Sequence, residues 1–304
     1  MRNILITGAS GFVGQNLIEH LKNYNLITIS RKNGFDYNLI DNDFLDNNKI
    51  DLIIHLAGKA HDLKKISNDS EYYEANTDLT ISLFDSFLKS NAKIFIYLSS
   101  VKAVKDFIEC PLTEDTDPTP ISVYGKSKLN AETYLLSKKL NYNKKLFILR
   151  PCMIHGPGNK GNLNLLYKLV SKNLPWPLGT FENKRSICSI DNLSFIIEQL
   201  ISRDDISSGI YNIADDEPLS TNQIIELISN AQHHKSRILK LPKSLIYVLA
   251  KIGDFIRLPF NTENLTKLTE NYVVSNEKIK KAIGKELPMS SKEGLLKTFS
   301  YFKN

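Results

Sequence analysis

Cysteine is scarce in this chain, with only Cys110, Cys152 and Cys188 among 304 residues. The three neither form an even set nor repeat at C-x-x-C spacing, which argues against a disulfide-stapled secreted fold and against a thiolate metal site, and suggests a reducing compartment. The first apolar run is broken by glycines, so it makes a poor signal peptide or membrane span, and no integral membrane segment is expected. One-signed charge is lacking too. Lys and Arg number 39 against 33 Asp and Glu, and the surplus reads as spread through mixed-sign segments, so no nucleic-acid-binding stripe is expected. No internal repeat or low-complexity tract stands out. What remains is a chain long enough to bury a full core and to carry one large domain with a smaller one beside it.

Residues 4–14 read ILITGASGFVG, an apolar strand running into Gly8, Gly11 and Gly14. Gly8 permits a tight strand-to-helix turn, and Gly11 lets the backbone approach a pyrophosphate. Gly14 lets the first helix lie close to the sheet with its N-terminus facing the anion. Ser10, Phe12 and Val13 complete this expected phosphate site. The spacing G-x-x-G-x-x-G is looser than the usual fingerprint, so the context carries weight: a β-branched strand at 2–7, a helical pattern at 12–21 and a second strand at 26–29. After that second strand come Ser30-Arg31-Lys32, with no Asp or Glu to hold a ribose hydroxyl. Cations there suit a 2'-phosphate, so NADP(H) is the favoured cofactor and NAD(H) the alternative.

Further strands at 51–57, 93–98 and 145–149 alternate with helices near 71–89 and 123–140, closed by Arg150-Pro151. The pattern predicts an α/β fold: a Rossmann-type parallel sheet with helices on both faces, right-handed crossovers and functional loops at the C-terminal edge. Beyond Arg150, loops such as HGPGNKGNL and NLPWPLG suggest a smaller C-terminal substrate-binding subdomain that forms a lid. Residues 1–154, with about 186–214 returning to them, are assigned to the dinucleotide-binding domain, and 155–185 with 215–304 to the substrate-binding subdomain. Within 245–260, Lys251, Asp254 and Arg257 mark one side of a helix, and Val248, Leu249, Ile252, Phe255 and Ile256 the other. That amphipathic helix is expected to pack on the body, with a membrane surface as the alternative. The expected location is accordingly cytoplasmic, with peripheral contact at the inner membrane face left open.

Tyr124 and Lys128 stand one helical turn apart in Val-Tyr-Gly-Lys-Ser-Lys and can share a helix face. A lysine ammonium beside a phenol favours the phenolate and is expected to draw its pKa down from about 10. Ser99 and Ser100 directly follow a strand, at the edge where a hydroxyl could bind the oxygen that gains or loses a proton. Without a dinucleotide site beside them, a helix cap or turn would be the favoured reading.

Together, Gly-Ala-Ser-Gly-Phe-Val-Gly, His55-Leu56-Ala57, Ser99-Ser100 and Tyr124-Gly-Lys-Ser-Lys128 resemble the extended short-chain dehydrogenase/reductases, the nucleotide-sugar epimerase and dehydratase group. The resemblance implies a catalytic set of Ser100, Tyr124 and Lys128, with Ser99 as the register alternative for the hydroxyl. It also implies that Lys128 holds the nicotinamide ribose, that Leu56, Ala57, Gly58 and Lys59 line the cofactor, and that Asn76 supports its pocket. Asn38, Leu39, Ser99, Tyr124 and Pro151 join the implied cofactor contacts. A homodimer is implied as well, through the helix carrying Tyr124, where Ala131, Leu135 and Leu136 offer small and apolar surface, and the helix following Asn76.

A narrower similarity, to bacterial 4-keto reductases and 4-epimerases acting on UDP-N-acetylhexosamines, is carried by His155-Gly-Pro-Gly-Asn-Lys160-Gly-Asn162, Leu174-Pro-Trp-Pro-Leu-Gly179, Asn183-Lys-Arg185-Ser186 and Asp191-Asn192. It implies that Arg185 contacts the nucleotide or its diphosphate, since a guanidinium offers paired donors to phosphate oxygens. Ser100, Tyr124, Met153, Lys160 and Asn162 complete the implied substrate contacts. Three departures stand out: Met153 where many epimerases have Asn, Asn38 where the adenine pocket usually has Asp, and Val101-Lys102-Ala103 where a Tyr-Gly pair is common. The expected activity is NAD(P)H-dependent reduction of the C4 ketone of a UDP-2-acetamido-2,6-dideoxy-hexulose for surface polysaccharide. The alternatives are a UDP-N-acetylhexosamine or UDP-hexose 4-epimerase with bound NAD, and a non-catalytic NADP-binding regulatory or scaffold protein.

Overall fold

The computed structural model describes residues 1–59, 68–159, 161–256 and 260–302. β1 (Asn3–Thr7) runs through the glycine turn into α1 (Phe12–His20) and returns as β2 (Asn25–Ile29). Two short 3-10 turns precede α2 (Asn42–Asn47) and β3 (Leu52–His55). α3 (Asp69–Tyr73) and α4 (Leu79–Lys89) form a single helical run widened by a π turn at Glu74–Asp78, and they feed β4 (Ile94–Leu98). α5 (Val123–Ser137) begins at Ser122, whose hydroxyl accepts from the Gly125 amide, and leads to β5 (Lys145–Pro151) and β6 (Met153–His155). Then follow α6 (Asn162–Ser171), β7 (Ile187–Ser189), α7 (Ile190–Ser202) and β8 (Gly209–Ile213). The chain ends in α8 (Thr221–Ala231), α9 (Lys243–Phe255), α10 (Thr262–Thr269), α11 (Glu277–Ile283) and α12 (Ser291–Phe302).

Among the described residues, six strands form one parallel sheet in the order β2-β1-β3-β4-β5-β8, and β6 pairs with β7 in a small parallel sheet of two. Alternate strand residues point to opposite faces, so near-continuous apolar strands are buried on both sides. Ile4, Ile6, Ile54 and Ile96 pack with α1, α7 and α11. Leu5, Ile53, Phe95 and Tyr97 pack with α2, α4 and α5. A third, smaller cluster gathers α6, α8, α9, α10 and α12 around Trp176, Leu178 and Phe181. The expected fold class is therefore the observed one.

The chain steps from β1 outward to β2 and then back to β3 on the other side, so the crevice where an α/β sheet takes ligands opens above β1 and β3. α9 packs on the body as expected, but through another face. α9 does not bury Val248, Leu249, Ile252, Phe255 and Ile256, all of which are exposed. It docks instead through the narrow strip of Ile246, Ala250 and Gly253. At Gly253 the fit is so close that a Cβ would fall 1.8 Å from the Phe260 carbonyl oxygen, so a larger residue there would lift the helix off the body. Arg257, expected on the charged side, lies outside the described residues.

Candidate active site

β1 delivers the chain to Gly8, whose φ of +73° lies in the left-handed region. A Cβ on Gly8 would stand 2.6 Å from the Ala57 amide nitrogen, and one on Gly14 would stand 2.5 Å from the Gly8 carbonyl oxygen. Side chains at these two positions would push the turn off the β3 loop and α1 off the turn. Gly11 is the N-cap of α1, and among the described residues no side chain caps it, which leaves the first-turn amides in the position that suits an anion. Ser10 is exposed at this turn, and Phe12 and Val13 are half-buried against the sheet. At the end of β2, Arg31 is exposed, and Ser30 carries a buried hydroxyl with no hydrogen-bond partner among the described residues. Arg31 is near enough to Tyr37 to act on its phenol, and Tyr37 Oη accepts from the Gly8 amide at 3.2 Å. Asn38 and Leu39 sit beside it on an exposed 3-10 turn. A cradle that a Cβ would fill, a helix start without a cap and an orphaned hydroxyl beside a cation all fit a dinucleotide.

The loop after β3 closes the other side. The Leu56 and Ala57 amides donate to the Thr7 carbonyl at 3.2 Å and to Thr7 Oγ1 at 3.3 Å. A Cβ on Gly58 would meet Asn76 Oδ1 at 2.6 Å and Lys128 Nζ at 3.3 Å. Asn76, fully buried in the π turn, accepts from the Lys59 amide at 2.8 Å and donates to the Lys59 carbonyl at 3.1 Å and to Ser127 Oγ at 3.0 Å. It therefore clamps loop 58–59 to α5. The Lys59 ammonium pairs with the Glu71 carboxylate. His55, beneath, is bracketed by Thr7 Oγ1 at 2.7 Å and Thr80 Oγ1 at 3.0 Å. Burial, and then the Lys128 charge, pushes its pKa down to about 3, so it stays neutral.

The two serines after β4 part company. Ser99 Oγ donates to Glu132, whose carboxylate is buried against Arg150, with Arg150 Nε 3.0 and 3.1 Å from its two oxygens. Ser100 opens a 3-10 turn, accepting from the Lys102 amide at 3.2 Å, and its side chain shares a hydrogen bond with Tyr124. Tyr124 is half-buried, with the Tyr72 ring edge-on at 6.4 Å. Lys128 is buried one turn on, and its Nζ donates to the Leu98 carbonyl at 2.9 Å. Burial lowers Lys128 to about 8, with Glu132 working the other way.

The expected lowering of Tyr124 by Lys128 is not found. Burial is the largest influence and pushes the phenol up, opposed by the Ser100 bond and reinforced by Tyr72. Lys128 Nζ donates to the Leu98 carbonyl instead, and the phenol, pushed up, keeps its proton at neutral pH.

On the side where substrate contacts are expected, Pro151 is buried at the end of β5, and Met153, 37% exposed, pairs on β6 with Ile187 of β7. Arg185 lies just before β7 and donates to the Lys267 carbonyl, with its Nη2 3.6 Å from Glu270 Oε1. Lys102 Nζ stands 4.2 Å over the Tyr272 ring and donates to the Asp106 carbonyl at 2.6 Å. Burial lowers both Lys102 and Arg185, and each responds to Glu270. Burial raises Glu270, against the pull of Arg185. Lys102, Tyr37, Tyr272 and Glu270 escaped the sequence reading; the only signal was Lys102 standing where a Tyr-Gly pair is usual. Lys160 lies outside the described residues, as does the side chain of Asn162. Of the three α5 residues expected at a dimer face, Ala131 and Leu135 are fully buried in the core beside the sheet, and Leu136 alone is exposed.

Known proteins resemble this arrangement over its whole length. The NAD dependent epimerase/dehydratase family matches residues 4–214. UDP-glucose 4-epimerase of Vibrio cholerae is 28% identical, over 99% of this chain and 95% of its own length. N-acetyl-alpha-D-glucosaminyl-diphospho-ditrans,octacis-undecaprenol 4-epimerase of Escherichia coli O157:H7 is 28% identical, over 92% of this chain and 85% of its own. The solved UDP-N-acetylglucosamine 4-epimerase of Bacillus cereus superposes with a TM-score of 0.78 at 21% identity, covering 100% of each chain, a likeness of fold.

Proposed function

This chain belongs to the NAD dependent epimerase/dehydratase family, and we propose that within it the protein is an NADPH-dependent reductase of the C4 ketone of a UDP-linked 2-acetamido-2,6-dideoxy-hexulose. Its broad activity is an NAD(P)-dependent oxidation or reduction of a nucleotide-linked sugar. The observation that carries the finer reading is the Ser100–Tyr124 hydrogen bond, with a phenol held protonated by burial. A group poised to give a proton suits the reductive direction.

The dinucleotide, when bound, supplies hydride transfer at the sugar carbon. The remaining steps fall to the chain's own residues. Tyr124 Oη gives its proton to the oxygen at C4, and Ser100 Oγ holds that oxygen by a hydrogen bond as charge develops on it. Lys128 offers its ammonium beside Gly58 to ribose hydroxyls, and the Asn76 clamp keeps loop 58–59 in place. Arg185 and Lys102 form the cationic end for the sugar diphosphate, with Glu270 holding Arg185 until phosphate oxygens replace it. Arg31 beside the orphaned Ser30 hydroxyl favours a 2'-phosphate, hence NADPH over NADH. The substrate is an amino sugar on UDP, and the product serves surface polysaccharide.

The purified protein is to be given NADPH with the 4-keto-6-deoxy sugar nucleotide and, separately, UDP-GlcNAc and UDP-GalNAc, with nicotinamide absorbance and product mass followed. Stoichiometric NADPH consumption with the keto sugar alone is expected. Interconversion of the two hexosamines without net cofactor use would replace this reading with a 4-epimerase holding NAD, the reading that the names of the Vibrio cholerae and Escherichia coli relatives favour. Arg31→Ala is expected to weaken NADPH more than NADH; equal loss would remove the phosphate assignment.

A further inference from the structure

α9 divides into three strips. Ile246, Ala250 and Gly253 turn inward, and Lys243, Lys251 and Asp254 share one flank. At a helical step of about 100° per residue, Leu245, Val248, Leu249, Ile252 and Phe255, with the capping Ile256, fall within an arc of about 120°. Every one of these six is exposed, Phe255 at 89%. Single exposed apolar residues are ordinary, but a gathered patch on one helix marks a contact surface.

Charge identifies the contact. Between Glu226 and Asp254 the chain carries no carboxylate, while Lys235, Arg237, Lys240, Lys243 and Lys251 contribute five positive charges, against a net +6 for all 304 residues. All five are exposed. The surplus is thus concentrated around α9 and not spread through mixed-sign segments. An apolar arc flanked by lysines and approached by a basic segment matches a lipid interface, where apolar side chains enter the headgroup boundary and lysine stems reach up to phosphates. A second copy of the chain suits it poorly, because a two-fold contact across α9 would bring two such basic segments together.

We infer that α9 seats the protein on an anionic lipid surface. α9 also packs on α10, whose Lys267 carbonyl holds Arg185, so the cationic end of the site lies one helix from the bilayer. This docking is independent of which sugar reaction the enzyme performs.

The test is cosedimentation of the full chain with vesicles of phosphatidylethanolamine and phosphatidylglycerol, set against vesicles of phosphatidylcholine alone. Binding to the anionic vesicles is expected, weakened about fivefold by each of Lys243→Gln and Lys251→Gln. The double variant Ile252→Glu/Phe255→Glu is expected to lose it while melting like the parent. Should that double variant fold poorly, the exposed lysine variants still decide the matter. No binding to anionic vesicles, equal binding to both kinds, or lysine variants that bind as the parent does would each overturn the inference. So would a dimer that dissociates in the double variant without any vesicle binding, which would give the face to a second copy.

Discussion

α5 and α9 break the inside–outside rule in opposite directions. α5 buries Ser127, Lys128 and Glu132, charged or polar groups that folding alone would keep in water. α9 leaves Val248, Ile252 and Phe255 in water, groups that folding alone would bury. Each departure carries a cost. The costs differ in kind: buried ions must find fixed partners within the chain, and α5 finds Leu98 and Arg150, whereas an exposed apolar arc needs a partner from outside. Chemistry and docking can therefore be separated by substitution in the two helices.

The largest expected effect lies at α5. Tyr124→Phe removes the proton donor and is expected to lower turnover of the keto sugar by about 10²–10⁴-fold, with unfolding by urea unchanged. A variant retaining near-parental turnover would take the reaction away from this helix. Glu132→Gln strikes the buried pair by leaving Arg150 without its countercharge, and a loss of about 3–5 kcal/mol in unfolding free energy is expected. Its pH profile sharpens the point. Lys128 titrates near 8 and Glu132 holds it up, so the ammonium is present below that pH and lost above it. The alkaline limb of activity should move to lower pH in Glu132→Gln; a limb that stays in place would detach Lys128 from the reaction.

Ser100→Ala is expected to reduce kcat by about 10²-fold, in line with the loss of one donor at a developing oxyanion. Ser99→Ala should lower stability and leave kcat alone. Exchange of those two outcomes would reverse the assignment of the hydroxyls. The smallest effect is expected at α9, where Val248→Gln should change unfolding free energy by no more than about 0.5 kcal/mol. A larger loss would mean that the arc is packed in solution, and the contrast between the helices would collapse.

Much of this was legible in the residues. The strands are short local runs of Ile, Leu and Phe, and the glycine turn and the Tyr124–Lys128 spacing are local too, so periodicity suffices for them. Ser99 and Ser100 were not separable, because successive residues leaving a strand point opposite ways. What sorts them is Glu132 paired with Arg150, a partner from another strand. The Lys102–Tyr272 contact joins the loop after β4 to the segment after α10, and no pattern links positions so remote in sequence. For α9 the periodicity separated charged from apolar sides correctly but carried no information about what covers the apolar one. Docking through a strip that includes Ala250 and Gly253 is a matter of shape.

The π turn at Glu74–Asp78 has a consequence of its own. Within it the Asn76 carbonyl accepts from Thr80 Oγ1 at 2.8 Å, and the Asn76 side chain reaches sideways to loop 58–59 and Ser127. A wide turn of this sort holds one residue more than a regular helix would. Removing a single residue from the turn, with Asn76 and all its partners kept, would let it close into an ordinary α turn with α3 and α4 still in register, and would remove the local widening from which the Asn76 side chain reaches loop 58–59 and Ser127. The clamp therefore depends on a count as well as on chemistry, and a one-residue deletion that an alignment of side chains would score as harmless would unfasten loop 58–59.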